Sequence, residues 1–146
     1  KLLTIHLSGG SSMIKSALVS SKSIDAKCIG VSILTSINEE ESQEIYNQEI
    51  PKTVSSMFNL ANETDIDGVV CSPHELKLAG NLLQDKIKIT PGIRLSDSNS
   101  DDQSRVMNPK EAIDLGATYL VIGRPITSHK DKASAFEKIY QSIYEK

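Results

Sequence analysis

The feature that most restricts the fold of this chain is a regular alternation of short apolar runs with longer amphipathic segments. The apolar runs lack polar alternation, and strands of that kind are buried on both faces, which is typical of a parallel sheet. We predict five such strands, at residues 2–7, 27–34, 68–71, 87–89 and 119–122. Helical patterns follow the strands, so the sequence predicts five consecutive β–α units.

The predicted helices depend on apolar spacing and on start signals. Residues 51–62 carry apolar side chains at i, i+3, i+4 and i+7, the spacing of an amphipathic helix. Ser72-Pro73-His74-Glu75 and Asn108-Pro109-Lys110-Glu111 each place a capping residue, a proline and a glutamate in the order of a helix start. We predict helices at residues 13–19, 38–47, 51–62, 72–83, 112–115 and 131–144.

Two architectures accommodate five β–α units. A five-stranded doubly wound sheet of the flavodoxin type, with strand order 2-1-3-4-5, matches a length of 146 residues. The other architecture is part of an eight-stranded (β/α) barrel, which needs about 200–250 residues. Length alone favours the first. Because the chain enters a strand at residue 2, without an initiating Met, we expect it to be a segment of a longer protein.

Composition excludes several classes of function. Sixteen Lys and Arg against nineteen Asp and Glu give a net charge of −3, which argues against a nucleic-acid-binding surface. No apolar run reaches the about 18–20 residues of a membrane helix, and no signal peptide is recognisable. Two cysteines make no disulfide framework and no Cys/His cluster has zinc spacing. We expect a soluble, cytoplasmic protein.

Two neighbouring strand ends carry the residue types of a phosphate site. Ile122-Gly123-Arg124-Pro125 follows the fifth predicted strand, and Thr90-Pro91-Gly92-Ile93-Arg94 follows the fourth. Glycine lets an anion approach the backbone, and the guanidinium fork of arginine matches phosphate oxygens. Since ligands of parallel α/β folds bind at the carboxyl ends of strands, we predict a phosphate site there. The alternative for Arg124 is a turn with a solvated side chain.

Other polar residues allow more than one interpretation. Thr35 and Ser36 end the second strand and could contact a polar ligand or cap the acidic helix after them. Asp102-Gln103-Ser104-Arg105 lies in the longest irregular stretch and could close over a ligand. His6 is more often structural than catalytic at such a place. No nucleophile–base pair, nucleotide-binding glycine motif or Asp-x-Lys-x-x-Asp pattern occurs in the sequence.

Taken together, six segments of this chain resemble the C-terminal part of the orotidine 5′-phosphate decarboxylase family, in the order and spacing of that family. The segments are His6-Leu7-Ser8-Gly9-Gly10, Leu34-Thr35-Ser36, Asp67-Gly68-Val69-Val70-Cys71-Ser72, Thr90-Pro91-Gly92-Ile93-Arg94, Asp102-Gln103-Ser104-Arg105-Val106-Met107 and Val121-Ile122-Gly123-Arg124-Pro125-Ile126-Thr127. The resemblance implies a (β/α)₈ TIM barrel, of which residues 1–146 would supply strands four to eight within one domain. The catalytic Asp-x-Lys-x-x-Asp segment of the family would lie in the first three strands.

The resemblance also implies a role for each matching residue. Arg124 and the Gly123 amide would bind the 5′-phosphate, Gln103 would lie on a loop that closes over the ligand, and Arg94 would contact the ligand near that loop. Thr35 would face the pyrimidine ring. Ser36 and Pro91 are secondary candidates.

The reaction that the resemblance implies is loss of CO₂ from orotidine 5′-monophosphate, which gives uridine 5′-monophosphate without a metal or organic cofactor. The family is dimeric, so a homodimer is expected. Two alternatives stay open: a phosphate-binding half-barrel without catalysis, and a flavodoxin-like binding domain.

Overall fold

Five parallel strands lie side by side in sequence order in this computed structural model, which describes residues 1–94 and 107–144. The strands are β1 (Leu2–His6), β2 (Lys27–Val31), β3 (Gly68–Val70), β4 (Ile87–Thr90) and β5 (Tyr119–Leu120). All four neighbouring pairs are parallel, as predicted. The order β1-β2-β3-β4-β5 contradicts the flavodoxin-type order, in which the first strand lies inside the sheet.

Seven helices lie in the described part of the chain, five between successive strands and two after β5. They are α1 (Gly10–Ser23), α2 (Glu39–Tyr46), α3 (Ile50–Glu63), α4 (Leu76–Leu82), α5 (Pro109–Asp114), α6 (Arg124–Thr127) and α7 (Lys132–Tyr144). One-turn 3₁₀ segments precede α1 at Leu7–Gly9 and α4 at Pro73–Glu75. The six predicted helices are present, whereas α6 was not predicted. The missed signal is Pro125, which takes an early helical position where proline is favoured.

The helices cover one face of the sheet. Residues of α1, α3, α4 and α5 join a single apolar core with the sheet residues Cys28, Val69 and Cys71. Gly30 pairs with Val69 in register, and a Cβ at Gly30 would overlap the core residue Leu7. The next residues along the strands form a second row in register, made of Val31, Val70, Ile89 and Tyr119. Since side chains alternate along a strand, this row lies on the face of the sheet opposite to the helices. Helices on one face of a parallel sheet are typical of the wall of a (β/α) barrel, in which the helices form the outer layer.

Local signals fix the ends of several helices. The Asn38 side chain accepts from the Glu41 amide at 2.9 Å, and the Glu41 carboxylate accepts from the Asn38 amide, so a capping box begins α2. Asn47 ends that helix in the left-handed conformation with φ +53°. Gly116 has φ +98° just after α5, the conformation of a left-handed cap. The Asp131 carboxylate accepts from the Ser134 amide at the start of α7.

Four strands are shorter than predicted: β1 and β3 by one residue each, and β2 and β5 by more. The prediction of β2 to residue 34 is wrong, since the strand ends at Val31. The amide and the hydroxyl of Ser32 still bond the Val70 carbonyl of β3, at 3.1 and 3.0 Å. The backbone then turns away from the ladder. β5 ends at Leu120 rather than at residue 122. The apolar character of a residue shows burial, but not whether its backbone still pairs with a neighbouring strand.

At the amino ends of the strands, Asp67 joins β2 to β3. Its carboxylate accepts from the Cys28 amide at 2.8 Å and from the Lys27 ammonium at 3.0 Å. Burial alone would raise the pKa of Asp67, but these two hydrogen bonds and the charges of Lys27 and Lys86 outweigh burial and lower it. The folded state therefore prefers the ionised carboxylate.

Among the described residues, none of the helices has both the length and the apolar character that crossing a membrane requires. Over the same residues, no group of three or more His, Cys, Asp or Glu side chains is placed to hold a metal ion.

We predict that Asp67→Ala lowers the free energy of unfolding by about 1–3 kcal/mol at pH 7, because the Cys28 amide loses its acceptor. The folded pKa of Asp67 is depressed, so its contribution is present at neutral pH and is lost as the pH falls below about 4. Urea unfolding at pH 7 and pH 3 measures both effects. The exposed Asp85 provides the control variant Asp85→Ala. Equal stability of the two variants at pH 7 would contradict the assignment.

We also predict that neither cysteine reacts with a thiol reagent while the chain is folded. Cys28 and Cys71 are both buried, and burial together with the nearby Glu75 carboxylate raises the pKa of Cys71 to about 12. A thiol of that pKa holds almost no reactive thiolate at pH 8. Labelling monitored by mass spectrometry should add two groups in denaturant and none in buffer. Rapid labelling in buffer would show that the core is open.

Candidate functional site

The carboxyl ends of β4 and β5 lie next to each other. Thr90 is paired with Leu120, and the Val121 amide donates to the Thr90 carbonyl at 2.9 Å. The segments that leave these two strands therefore start from the same edge of the sheet. These are the segments with Arg94 and Arg124, so the structure confirms that both predicted segments start from one edge.

Gly123 forms the junction between β5 and α6. Its carbonyl accepts from the amides of Ile126 and Thr127, at 2.9 Å each, and so begins the helix. Gly123 is exposed, and a Cβ placed there would meet no atom within 4 Å. Arg124, the first residue of α6, is also exposed. An open backbone beside an arginine is an arrangement that an anion can approach.

Arg94 lies in the segment that leaves β4, and its backbone pairs with that of Met107. Its amide donates to the Met107 carbonyl at 3.0 Å, and the Met107 amide donates to the Gly92 carbonyl at 3.2 Å. Gly92 has φ +77°, a conformation that glycine adopts without strain, and it follows Pro91 in the turn out of β4. The Arg94 guanidinium donates to the Ile93 carbonyl at 2.9 Å. Arg94 thus has a defined place on its turn, half-buried.

Thr35 and Ser36 lie in the turn after β2. The Ile37 amide donates to the Leu34 carbonyl at 3.0 Å, so Thr35 and Ser36 are the two central residues of this turn. Thr35 is half-buried and Ser36 is exposed. Asn38 caps α2, so helix capping, the alternative role for the two hydroxyls, belongs to a different residue.

The predicted residues after β2 are therefore separated, across the sheet, from the predicted residues after β5. β3 and β4 lie between β2 and β5, and three strand spacings make about 14 Å. Thr35 stands at one end of this span, and Gly123 with Arg124 stands at the other. Such an edge suits an elongated ligand with one polar end and one anionic end. Gln103 and the rest of the predicted 102–105 cluster lie outside the described residues.

The remaining candidates have separate surroundings. His6 ends β1 opposite Val31 and is exposed. Cys28 and Cys71 belong to the apolar core. A groove of about 580 Å³ lies between the start of α4 and α5, and none of the predicted binding residues lines it. Its lining residues are Pro73, His74, Lys77, Met107, Glu111, Asp114 and Leu115.

Known proteins share this sequence and this fold. The family model described as orotidine 5′-phosphate decarboxylase / HUMPS family matches residues 1–139. The orotidine 5′-phosphate decarboxylases of Staphylococcus saprophyticus and Dictyoglomus turgidum are 40% and 38% identical to this chain. Both alignments cover 97% of this chain, and they cover 64% and 62% of the two relatives.

Solved structures agree with the sequence relatives. The crystal structure of orotidine 5′-phosphate decarboxylase from Lactobacillus acidophilus superposes with a TM-score of 0.81 at 32% identity, over 99% of this chain and 63% of that one. An uncharacterized conserved protein from Geobacillus kaustophilus superposes with a TM-score of 0.77 at 25% identity. The chain spans a little less than two thirds of the length of these relatives.

The decarboxylase neighbours are TIM barrels, and consecutive parallel strands with helices on one face are what a barrel wall requires. Sequence, strand order and helix placement therefore agree. The chain belongs to the orotidine 5′-phosphate decarboxylase / HUMPS family.

Proposed function

We propose that this chain supplies the phosphate- and pyrimidine-binding part of an orotidine 5′-phosphate decarboxylase. The substrate would be orotidine 5′-monophosphate and the products uridine 5′-monophosphate and CO₂. The observation that carries the proposal is the pairing of β4 with β5, which brings two glycine–arginine segments to one edge in a member of this family. Residues 1–146 would be part of one TIM-barrel domain.

The 5′-phosphate would bind at the start of α6. The exposed Gly123 leaves its backbone open, and Arg124 beside it provides a planar guanidinium for phosphate oxygens. Arg94 on the neighbouring turn would add a second positive charge. Gln103, which follows Arg94 along the chain, would contact the ligand from the segment between Arg94 and Met107. Pro91 would shape the turn that carries Arg94.

The pyrimidine would lie toward the carboxyl end of β2. The Thr35 hydroxyl can donate to or accept from a polar ring edge, with Ser36 beside it. The position of Thr35, about 14 Å from the phosphate end by strand spacing, supports a ligand that extends along the sheet edge. No metal or organic cofactor takes part in the proposed reaction.

The proposed chemistry divides binding from proton transfer. Loss of CO₂ leaves a carbanion at a ring carbon, and a lysine ammonium would protonate it. The Asp-x-Lys-x-x-Asp pattern of the family does not occur in this sequence, so the proton donor would come from outside these 146 residues. Phosphate binding can still lower the barrier, because binding energy from a remote group can orient and desolvate the reacting centre. A homodimer, as the resemblance implies, is part of this proposal.

A second candidate is phosphate binding without catalysis. This role needs only the proposed phosphate-binding residues Gly123 and Arg124, and it does not need the family's Asp-x-Lys-x-x-Asp pattern. Both candidates require the same phosphate site, and they differ in whether a lysine from another segment reaches the ring carbon.

For the phosphate site, we expect Arg124→Ala to weaken binding of uridine 5′-monophosphate about ten- to hundredfold. A charge-assisted hydrogen bond of about 1.5–3 kcal/mol is lost. Affinity for uridine, which has no phosphate, should stay the same. Calorimetric titration of both ligands measures the difference, and Lys130→Ala, at another exposed cation beyond α6, is the matched control. The phosphate role is refuted if Arg124→Ala binds the nucleotide as well as the parent chain does.

To test whether this chain supplies binding residues but no proton donor, we predict that the purified chain releases no CO₂ from orotidine 5′-monophosphate. The physical reason is that no lysine of the family's catalytic pattern is present to protonate the carbanion. Carboxyl-labelled substrate makes the release of CO₂ measurable at low turnover. Sustained release by the chain alone would show that another group of this sequence supplies the proton.

A further inference from the structure

Lys88 is a buried cation on the helix-covered face of the sheet. It is the second residue of β4 and pairs in register with the core residue Val69, so its side chain lies on the side of α4 and α5. Only 5% of the residue is exposed. Lysine is almost never buried to this extent unless its charge is paired, so the surroundings of the ammonium group require an explanation.

Backbone carbonyls satisfy part of the Lys88 ammonium group. Its Nζ donates to the carbonyls of Gln84 and Lys86, just after α4, at 3.1 and 3.2 Å. An ammonium group has three N–H donors, so one is left over. Within residues 1–94 and 107–144, no carboxylate forms an ion pair with this nitrogen. The carbonyl end of a helix carries only about half a negative charge, so the full positive charge of Lys88 is not balanced by these contacts.

A groove of about 620 Å³ adjoins Lys88 at the amino edge of the sheet, and its volume is in the range of small-molecule sites. Gly80 of α4 and Gly116 after α5 belong to its lining, and a Cβ at either glycine would meet no atom within 4 Å. The groove is bounded by elements that follow one another in the chain, from α4 to the start of β5. It therefore lies at the opposite edge of the sheet from Gly123 and Arg124.

The other polar groups of the groove determine what it can bind. Thr118 Oγ1 accepts from the Lys88 amide at 3.1 Å, so the hydroxyl proton of Thr118 can be donated to another group. The charge of Lys86 is already paired with Asp65. Asp85 also lines the groove, but this residue is exposed, so water screens its charge. The buried charge of the groove is thus positive, and the donors of Lys88 and Thr118 suit an oxyanion.

We propose that this groove is a second ligand site, which binds an oxyanion group of a small molecule, a phosphate or a carboxylate, through Lys88 and Thr118. The third N–H of Lys88 and the Thr118 hydroxyl would donate to the oxyanion, and the open backbone at Gly80 and Gly116 would leave room for the rest of the molecule. The anion would neutralise a charge that is costly to bury unpaired. No residue of the proposed nucleotide site takes part, and the second site does not depend on the proposed reaction.

Titration of the ¹⁵N-labelled chain with inorganic phosphate, and separately with acetate, tests the site. The amides of Gly80, Gly116 and Thr118 should shift and saturate with at least one of the two anions, and sodium chloride at the same ionic strength should not reproduce this response. Phosphate is also expected at Arg124 under the proposed function, and the Gly123 amide reports that event separately. Arg124→Ala should therefore abolish the response of Gly123 and leave that of Gly116 unchanged, so the two proposals can fail independently.

Variants locate the bound oxyanion. Lys88→Met removes the charge and keeps a long unbranched side chain, and it should weaken anion binding at least about tenfold, because a charge-assisted hydrogen bond is lost. Lys77→Met, at an exposed position of α4, is the matched control and should change the affinity less than about twofold. Gly80→Met places a side chain in the groove without removing a charge, and it should also weaken binding at least about tenfold by steric exclusion.

The Gly80 variant keeps the test decisive if Lys88→Met does not fold. Glycine is a poor helix former, and no atom lies within 4 Å of a Cβ at Gly80, so Gly80→Met should leave α4 intact. Circular dichroism checks the folding of each variant.

A response to phosphate alone or to acetate alone supports the site and identifies the group that it binds. Three results would overturn the proposal. One is the absence of saturable shifts at Gly80, Gly116 and Thr118 with both anions, or the same shifts with chloride. Another is equal affinity of folded Lys88→Met and Lys77→Met for the anion. The third is unchanged affinity of folded Gly80→Met.

Discussion

Parallel pairing of consecutive strands is the constraint on which the rest of this structure depends. Each strand must return by a crossover before it pairs with the next, so all five carboxyl ends lie along one edge. This places the turn with Thr35, the turn with Arg94 and the start of α6 at one edge, although they are far apart in sequence. The proposed ligand site is a consequence of this pairing, since no single segment contains it.

The local signals of the sequence predicted most of the elements but not how they are arranged. Apolar runs and capping residues such as Asn108 depend on neighbours a few positions away, and they identified five strands and six helices. The strand order depends on long-range packing, and both candidate architectures share the same local pattern. Resemblance to a family, rather than periodicity, distinguished them. The helix that begins at Arg124 was missed because only Pro125 signalled it.

The residues of the candidate site, like the strands and helices, could be predicted in part from the sequence. A glycine next to an arginine after a buried strand is an interpretable pattern, and pairing of β4 with β5 brings two such patterns together. What the pattern could not give is the side-chain environment. The guanidinium of Arg94 bonds the Ile93 carbonyl, and Asn38 rather than Thr35 or Ser36 caps α2. Such contacts depend on turn geometry, which composition does not determine.

The most direct test of the account is a titration of the ¹⁵N-labelled chain with uridine 5′-monophosphate, followed by amide chemical shifts. The account predicts saturable shifts at Gly123, Arg124 and Arg94, at the carboxyl edge of β4 and β5, with uridine leaving the Gly123 amide unchanged. Shifts confined to the opposite edge, around Asp67, or the same response of Gly123 to both ligands, would contradict it.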